Sequence, residues 1–246
     1  MNSSGFRKTW RPAACKWSRI RGATPSDGQG GYRMNMAAPI ETQVDRDFVS
    51  FDEIVEEARA GRMFVVVERG RHGREGTLIV PADCADADAV NFFARHARGL
   101  VCLSLDETIA DRLNLTLMPQ TNRSRFGTAF TVSIEARDGI STGISARDRA
   151  LTIATAIRAD AGREDVVSPG HVFPIRVETE ELLLRPSAAA AGVEICRAAG
   201  RTPAAVICAI MTRDGSIADA AQTREFAARE GFKMVDAGLV ARDLHG

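Results

Sequence analysis

Three segments of the chain concentrate residues that could carry chemistry. The first reads STGISARDR from Ser141, where Gly143 allows a tight turn before a helix that Ser145 would cap. The free N–H groups of such a helix start, with Arg147 and Arg149 nearby, could hold a phosphate. A well-capped helix with solvated charges accounts for the same residues without a ligand, so the spacing leaves both interpretations open.

The second segment, SPGHVFPIR, presents a histidine where a strand is predicted to begin. Pro169 and Gly170 form a turn that precedes His171. A histidine in this position can act as a general base or as a metal ligand, although a lone histidine more often has a structural role. The third segment, TNRSRFGTAFTVSIEA at residues 121–136, is by itself only a turn that leads into a strand.

Hydrophobic periodicity predicts the elements that must position these segments. Helices are predicted at residues 50–61, 86–99, 106–115, 145–159, 188–200 and 223–232. Strands are predicted at residues 63–68, 77–82, 100–105, 127–136, 171–178, 181–185 and 204–211, with a polar loop at 69–76 closing the first hairpin. Because hairpins alternate with crossover helices, we predict an α+β fold in which a mixed β-sheet is layered with helices.

The composition excludes several classes of protein. The 246 residues include 32 basic and 32 acidic side chains, a balance that gives no indication of nucleic-acid binding. No apolar run is long enough to cross a membrane. The five cysteines are widely spaced and form no zinc pattern, which predicts reduced, mostly buried thiols in a cytoplasmic protein.

The first 38 residues differ from the rest of the chain. They contain seven arginines and lysines, one acidic residue, Asp27, and no helical or strand period. We predict a disordered basic extension at residues 1–38, followed by a single domain at residues 39–246. An organelle transit peptide, or an extension upstream of a start near Met34 or Met36, are the alternatives that this composition leaves open.

The ordered set of motifs resembles the 3,4-dihydroxy-2-butanone 4-phosphate synthase family of riboflavin biosynthesis. The similarity runs from about Phe51 to Leu244 and is strongest in NFFARHARGLVCLSL, GTAFTVSIEARDGISTGISARDRALTI, SPGHVFPIR and PAAVICAIMTRDGSIA. The resemblance implies a homodimer with active sites at the subunit interface. It also implies a lyase that uses magnesium or manganese to convert ribulose 5-phosphate to 3,4-dihydroxy-2-butanone 4-phosphate and formate.

The first loop of the family departs from its pattern in this chain. The family reads close to D-D-E-D-R-E-N-E-G-D-L, with the glutamate after the arginine as a metal ligand, whereas this chain reads ERGRHGREGTL. His72 stands at the arginine position and Gly73 at the metal-ligand position. Arg74 replaces the asparagine and Thr77 replaces a substrate-binding aspartate, while Glu75 is retained. An acidic loop has thus become basic.

Two further segments of the family pattern also carry replacements. The family motif R-x-G-H-T-E-A, whose histidine is the other metal ligand, corresponds here to RPSAAAA, with alanines at 188, 189 and 190. The essential glutamate of I-C-E-I corresponds to Ala209. The residues that are retained are the catalytic His171, Cys102, and the substrate- or phosphate-binding positions Arg185, Thr142, Ser145 and Glu75.

Loss of both metal ligands together predicts little or none of the family's activity by its usual mechanism, and no metal in the usual site. Rescue of metal binding by Glu68 or Glu75 remains an alternative. Three functions stay open: a working synthase, a divergent enzyme acting on another phosphorylated small molecule, and a non-catalytic partner that pairs with a true synthase. No nucleic-acid or membrane partner is expected.

Overall fold

The computed structural model describes residues 47–70, 73–119 and 128–245. The predicted basic extension at residues 1–38, His72 and the polar turn at residues 121–127 therefore lie outside the described residues. Within the described part, the α+β prediction is confirmed: one mixed sheet is covered by helices on both faces.

The sheet contains seven strands among the described residues. They are β1 Phe64–Gly70, β2 Gly73–Pro81, β3 Cys102–Asp106, β4 Ile134–Ala136, β5 Val166–Val177, β6 Ala204–Ala209 and β7 Met234–Asp236, in the order β4-β5-β3-β6-β2-β1-β7. The β1–β7 and β3–β5 pairs are parallel, and the other four pairs are antiparallel. The predicted first hairpin is confirmed.

Eight α-helices connect the strands in the part of the chain that the structure describes. They are α1 Phe51–Arg59, α2 Ala87–Phe92, α3 Glu107–Arg112, α4 Ala146–Ala156, α5 Glu181–Leu184, α6 Ala188–Ala198, α7 Ala220–Glu230 and α8 Ala237–His245. Ser50 caps α1 with a reciprocal Glu53 contact, and Ser145 and Ser187 accept hydrogen bonds from the first turns of α4 and α6. The sequence signals at these helix starts are confirmed.

Two apolar layers cover the two faces of the sheet. Alternation along β1 sends Phe64 and Val66 into a layer shared with α1, α6 and α8, while Val65 and Val67 face the layer of α2, α4 and α7. Both layers are made of buried, mostly aliphatic side chains with a few aromatic ones, and their burial supplies most of the stabilisation of the fold. The sheet therefore acts as a rigid platform for the residues at its ends.

The structure corrects several predicted elements. The polar loop at 69–76 is strand as far as Gly70 and again from Gly73, because the hairpin continues its pairing to these two glycines. Of the long strand predicted at 127–136, the described part is continuous only in β4, while Phe130 and Thr131 form isolated bridges to Ile175 and Leu117. The strand predicted at 181–185 is the one-turn helix α5, and β7 and α8 were not predicted.

The cysteines depart in one case from the expectation of reduced thiols. Cys102, Cys196 and Cys208 are free and buried, whereas Cys84 is disulfide-bonded. Among the described helices, none combines the length and the apolar character that a bilayer crossing requires.

Candidate functional site

One end of the sheet gathers the residues that the sequence placed in a site. In the β1–β2 hairpin Glu68 lies opposite Glu75, and in the β2–β6 pair Thr77 lies opposite Ala209. Because side chains opposite one another in a ladder share a face, each pair projects together. Alternation along β2 puts Glu75 and Thr77 on one face, the face that α6 covers. Four of the positions compared with the family pattern thus lie on one face of the sheet: Glu68, Glu75, Thr77 and Ala209.

The N-terminus of α6 closes this surface. The backbone N–H of Ala188 donates to Oε2 of Glu68 at 2.9 Å, and the N–H of Ala190 donates to the Ser187 hydroxyl at 3.2 Å. The side chains of Ala188 and Ala190 are only 1% and 0% exposed and belong to the apolar layer beneath the helix. The helix start is therefore occupied by a carboxylate from the protein itself.

The electrostatic setting of Glu68 is that of a buried carboxyl group. Burial raises the pKa of Glu68, the hydrogen bond from Ala188 N–H opposes that rise, the neighbouring Glu75 adds to it, and Arg185 opposes it. The raised pKa of Glu68 means that its neutral form is favoured more than in an exposed glutamate. Glu68 and Glu75 can face each other because Glu68 is protonated more readily than an exposed glutamate, which reduces the repulsion between the two carboxyl groups.

The positions of the two family metal ligands provide no donor atom. Ala188 has only a buried methyl group, and Gly73 has no side chain at all. Gly73 also has a φ of +109°, a backbone conformation that disfavours any L side chain. A divalent magnesium ion prefers several oxygen ligands in octahedral geometry.

No group of three or more histidine, cysteine, aspartate or glutamate side chains that could hold a metal occurs among the described residues. At this end of the sheet, as far as the structure describes it, only the two carboxyl groups of Glu68 and Glu75 lie opposite each other. The Glu75 carboxylate lies over Gly70, where an added Cβ would fall within 2.0 Å of its carbon. The residues described at this end of the sheet do not fit the metal site that the family implies.

Arg185 lies at the C-terminal end of α5, as expected from its position before α6. Its guanidinium pairs with Glu181 at 3.2 Å and is about half exposed. It also acts on the Glu68 carboxyl through its charge. Arg185 is therefore near the helix start and is accessible to solvent, in keeping with its predicted role in holding an anion.

His171 lies inside β5 rather than at the turn–strand junction that the sequence predicted. Its Nδ1 contacts Oε1 of Glu135 from β4. Gly143 packs against both residues: an added Cβ there would lie 1.8 Å from the Glu135 oxygen and 2.8 Å from the histidine Nδ1. A carboxylate that orients an imidazole in this way is the usual arrangement for a histidine acting as an acid or base.

The loop at residues 141–145 is folded around a carboxylate. Asp148, 4% exposed, accepts from the Ser141 hydroxyl at 2.8 Å and from the Gly143 N–H at 3.1 Å. The Asp148 N–H in turn donates to Ser145 at 3.0 Å. The Ser141 hydrogen bond is the main reason that the pKa of Asp148 is lowered. Thr142 is exposed at the tip, so the phosphate loop proposed from sequence is largely satisfied by its own residues.

The two halves of the predicted site do not meet within one chain. Four strand spacings separate β5, which carries His171, from β1, which carries Glu68. At about 4.8 Å per spacing this amounts to about 19 Å. The structure therefore groups Glu68, Glu75, Ala188 and Arg185 at one place and His171 with the 141–145 loop at another.

Two functional contacts were missed by the sequence interpretation. Glu135 was treated only as part of a strand, and Asp148 only as part of a helix. The signal for Asp148 was present, since an acidic residue three positions after a capping serine commonly faces the residues before a helix. Glu135 had no such local signal because its partner is 36 residues away in the chain.

Comparison with known proteins identifies the family. The family described as 3,4-dihydroxy-2-butanone 4-phosphate synthase matches residues 52–242. Proteins of that name from Pseudomonas aeruginosa and Neisseria meningitidis are 42% and 43% identical to this chain, over 80% and 74% of its length. Those matches cover 53% and 50% of the relatives, so the chain spans about half the length of the curated relatives it matches.

Solved structures agree with this comparison. A 3,4-dihydroxy-2-butanone 4-phosphate synthase in complex with two magnesium ions superposes with a TM-score of 0.75 at 30% identity, over 80% of this chain and 97% of the other. A two-domain synthase from A. baumannii gives 0.73 at 36% identity, over 78% of this chain and 56% of the other. The chain therefore belongs to the 3,4-dihydroxy-2-butanone 4-phosphate synthase family of the riboflavin pathway.

Proposed function

We propose that this chain is a family member that does not carry out the metal-dependent conversion of ribulose 5-phosphate to 3,4-dihydroxy-2-butanone 4-phosphate and formate. The observation that carries the proposal is the contact of Glu68 with the Ala188 N–H at 2.9 Å. At the position where the family resemblance implies a metal-binding histidine, this chain has a buried methyl group and a helix start already bonded to a carboxylate.

The chemical reason is the demand of the reaction itself. Enolisation and rearrangement of a sugar phosphate build negative charge on neighbouring oxygens, and a bound magnesium or manganese ion supplies several kcal/mol of stabilisation to that charge. Gly73, Ala188 and Ala209 contribute no charged or donor side chain to replace it. Without such stabilisation each carbon–acid step slows by orders of magnitude.

The test is an assay for formate. Purified full-length protein, ribulose 5-phosphate and either magnesium or manganese should release no formate above a metal-free control. A family member with both metal ligands, assayed in parallel, establishes that the assay detects turnover. Growth of a riboflavin auxotroph that lacks the synthase, when supplied with this gene, would contradict the proposal, as would formate release at the rate of the parallel enzyme.

The second candidate function is acid–base chemistry on another phosphorylated small molecule, and the His171–Glu135 contact favours it. A histidine held by a carboxylate can remove a proton from carbon next to a carbonyl without completing the synthase reaction. In deuterium oxide the protein should then introduce deuterium into ribulose 5-phosphate without formate. Exchange should fall to the protein-free rate in His171→Gln; exchange unchanged in that variant would contradict the assignment.

The third candidate is an assembly role, as a homodimer or as a heterodimer with a related synthase. Exposed apolar side chains beside both halves of the site support it: Ile144 is 53% exposed and Leu184 is 87% exposed. Light scattering should give twice the mass of one chain, and Leu184→Asp should reduce it to one. A monomer for the unmodified protein would contradict this role. The three buried free thiols favour a cytoplasmic location, whereas the disulfide at Cys84 is more typical of an oxidising compartment.

A further inference from the structure

A cavity of about 740 Å³ opens beside the β1–β7 edge of the sheet and holds three arginines. It is bordered by Arg69, Arg74, Arg242, Glu68 and Asp236, with Phe48 on one side. We propose that this cavity binds the phosphate group of a small phosphorylated molecule through Arg69, Arg74 and Arg242. The inference rests on the proposed function, because it supplies the chain with an anion site outside the family's metal centre.

The guanidinium groups in the cavity have few hydrogen-bond or ion-pair partners within the protein. Within the part of the chain that the structure describes, the guanidinium groups of Arg69 and Arg242 form no hydrogen bond or ion pair. Arg74 Nη1 lies 3.3 Å from Oδ2 of Asp236 without forming a hydrogen bond, and the guanidinium lies over the Phe48 ring at 5.4 Å. This atom is therefore paired by charge but is not satisfied as a donor, and a bound oxyanion would supply an acceptor.

The two carboxylates of the cavity are already committed to backbone donors. Oδ1 of Asp236 accepts from the N–H groups of Gly238 and Leu239 at the start of α8, at 2.9 and 3.2 Å. Oε2 of Glu68 accepts from Ala188 N–H, and burial raises the pKa of that carboxyl group. Asp236 also pairs with Arg74 at 3.3 Å. The cavity therefore holds three arginines and two carboxyl groups, and the arginines outnumber the carboxyl groups by one.

Two other candidate anion positions among the described residues are taken by the protein itself. The start of α6 is bonded to Glu68 and Ser187, and the Gly143 N–H in the 141–145 loop is bonded to Asp148. The charge reversal in the first loop, by contrast, falls on this cavity. Where the family resemblance implies an aspartate and an asparagine, the chain has Arg69 and Arg74. The positive charge that this chain supplies is thus a cluster of guanidinium groups, and the cluster lies at this cavity rather than at the family's metal position.

The size of the cavity suits a small molecule larger than phosphate. Ligand sites in proteins commonly enclose 300–1,000 Å³, roughly, and orient their ligand with a few polar groups. Guanidinium forks bind phosphate and carboxylate oxygens in the same bidentate way, so the shared chemistry is a small oxyanion. A phosphate carries more charge and more acceptor oxygens than a monocarboxylate, which is why three converging arginines favour it.

The experiment is a calorimetric titration of the full chain at low ionic strength with inorganic phosphate, and separately with acetate. Phosphate should bind, and the double variant Arg69→Gln/Arg242→Gln should weaken it by about tenfold or more, the loss expected for removing charge-assisted contacts. Arg163→Gln is the matched control, since Arg163 is an exposed arginine that does not border the cavity. It should change phosphate affinity by less than about twofold.

Three outcomes would overturn the inference: no phosphate binding, an equal loss in Arg163→Gln, or tighter binding of acetate than of phosphate. Because Arg69 and Arg242 are exposed, the thermal unfolding midpoint of the double variant without phosphate should match that of the unmodified chain, which separates lost binding from misfolding. The formate assay is independent of this titration. Failure of phosphate binding leaves the absence of synthase turnover intact, and turnover would not by itself remove the anion site.

Discussion

The Glu68 carboxylate accepts a hydrogen bond from the backbone N–H of Ala188 at 2.9 Å, and this contact joins the β1 strand to the start of α6. A helix start attracts negative charge because its first N–H groups are unpaired within the helix and its dipole is positive there. In this protein the group at the helix start is the side-chain carboxyl of Glu68. Ala188 therefore takes part in a contact that stabilises the fold, and it stands at the position where the family has a metal ligand.

Replacing Glu68 by glutamine should remove a dependence of stability on pH. Burial raises the pKa of Glu68 in the folded chain, so the native state binds this proton more tightly than the unfolded state. The Glu68 carboxyl makes its full contribution to the free energy of unfolding below its pKa in the unfolded chain, which is near 4.3 for a glutamate. That contribution is lost as the pH rises through the raised pKa of the folded chain. Glutamine does not ionise and its amide oxygen can still accept from Ala188 N–H.

Denaturant unfolding between about pH 4 and pH 8 measures this effect. The Glu68→Gln protein should lose less stability across the range than the unmodified chain and should be at least as stable at pH 7. Glu225→Gln, an exposed glutamate on α7, serves as the control and should follow the unmodified chain. Parallel profiles for Glu68→Gln and the unmodified chain would show that Glu68 does not titrate in this way.

Introducing the family's histidine at position 188 should destabilise the chain rather than restore a metal site. The Ala188 methyl group is 1% exposed and packs in the layer beneath α6, so a larger side chain must displace its neighbours at a cost of about 1–3 kcal/mol. For a domain of this size that corresponds to a fall in Tm of roughly 2–4 °C per kcal/mol.

Ala189→His is the matched control for this change, because Ala189 is the adjacent residue on α6 and is only partly buried. Calorimetry should give a clearly smaller fall in Tm for Ala189→His. If Ala188→His proved as stable as the unmodified chain and also bound manganese, the helix start would be adaptable and the proposed loss of the metal centre would be wrong.

Alanine at Gly143 should disturb the His171–Glu135 contact in addition to straining the backbone. Gly143 has a φ of +80°, and an added Cβ would meet the Glu135 oxygen at 1.8 Å. Gly215 has a similar φ of +87° with nothing within 4 Å of an added Cβ. Gly215→Ala should therefore lower the free energy of unfolding by only the cost of placing an alanine in a left-handed conformation, about 1 kcal/mol. Gly143→Ala should lower it by more.

The two glycine variants are distinguished by the histidine itself. The NMR chemical shifts of the His171 ring should change in Gly143→Ala and stay unchanged in Gly215→Ala. Equal stability losses with no change in the His171 ring resonances for either variant would mean that Gly143 does not support the contact.

The buried thiols should be unreactive in the folded protein. Burial raises the pKa of Cys102 and Cys208 to about 12 and raises the pKa of Cys196 further. The thiolate is the reactive form, so at pH 8 these groups carry almost none of it. Peptide mapping after treatment with iodoacetamide should find the three unlabelled in the native chain and labelled in denaturant. Labelling of native Cys102 within minutes would contradict its buried environment.

Local signals in the sequence were sufficient for most of the elements. Ser50, Ser145 and Ser187 fixed helix starts because a capping side chain bonds within three residues of itself. The buried strands were evident from β-branched runs such as the one around Val66. The short helix α5 was misread as a strand because its three consecutive leucines fit either period, a length at which periodicity does not discriminate.

The sequence by itself determined the family, the α+β class, and the loss of donor atoms at Gly73, Ala188 and Ala209, since these depend only on residue identity and order. Only the tertiary structure decided what took their place. Glu68 reaches Ala188 across 120 residues of chain, and Glu135 reaches His171 across 36. Such contacts depend on strand order and register, which are set by how the whole apolar core packs and leave no local mark in the sequence.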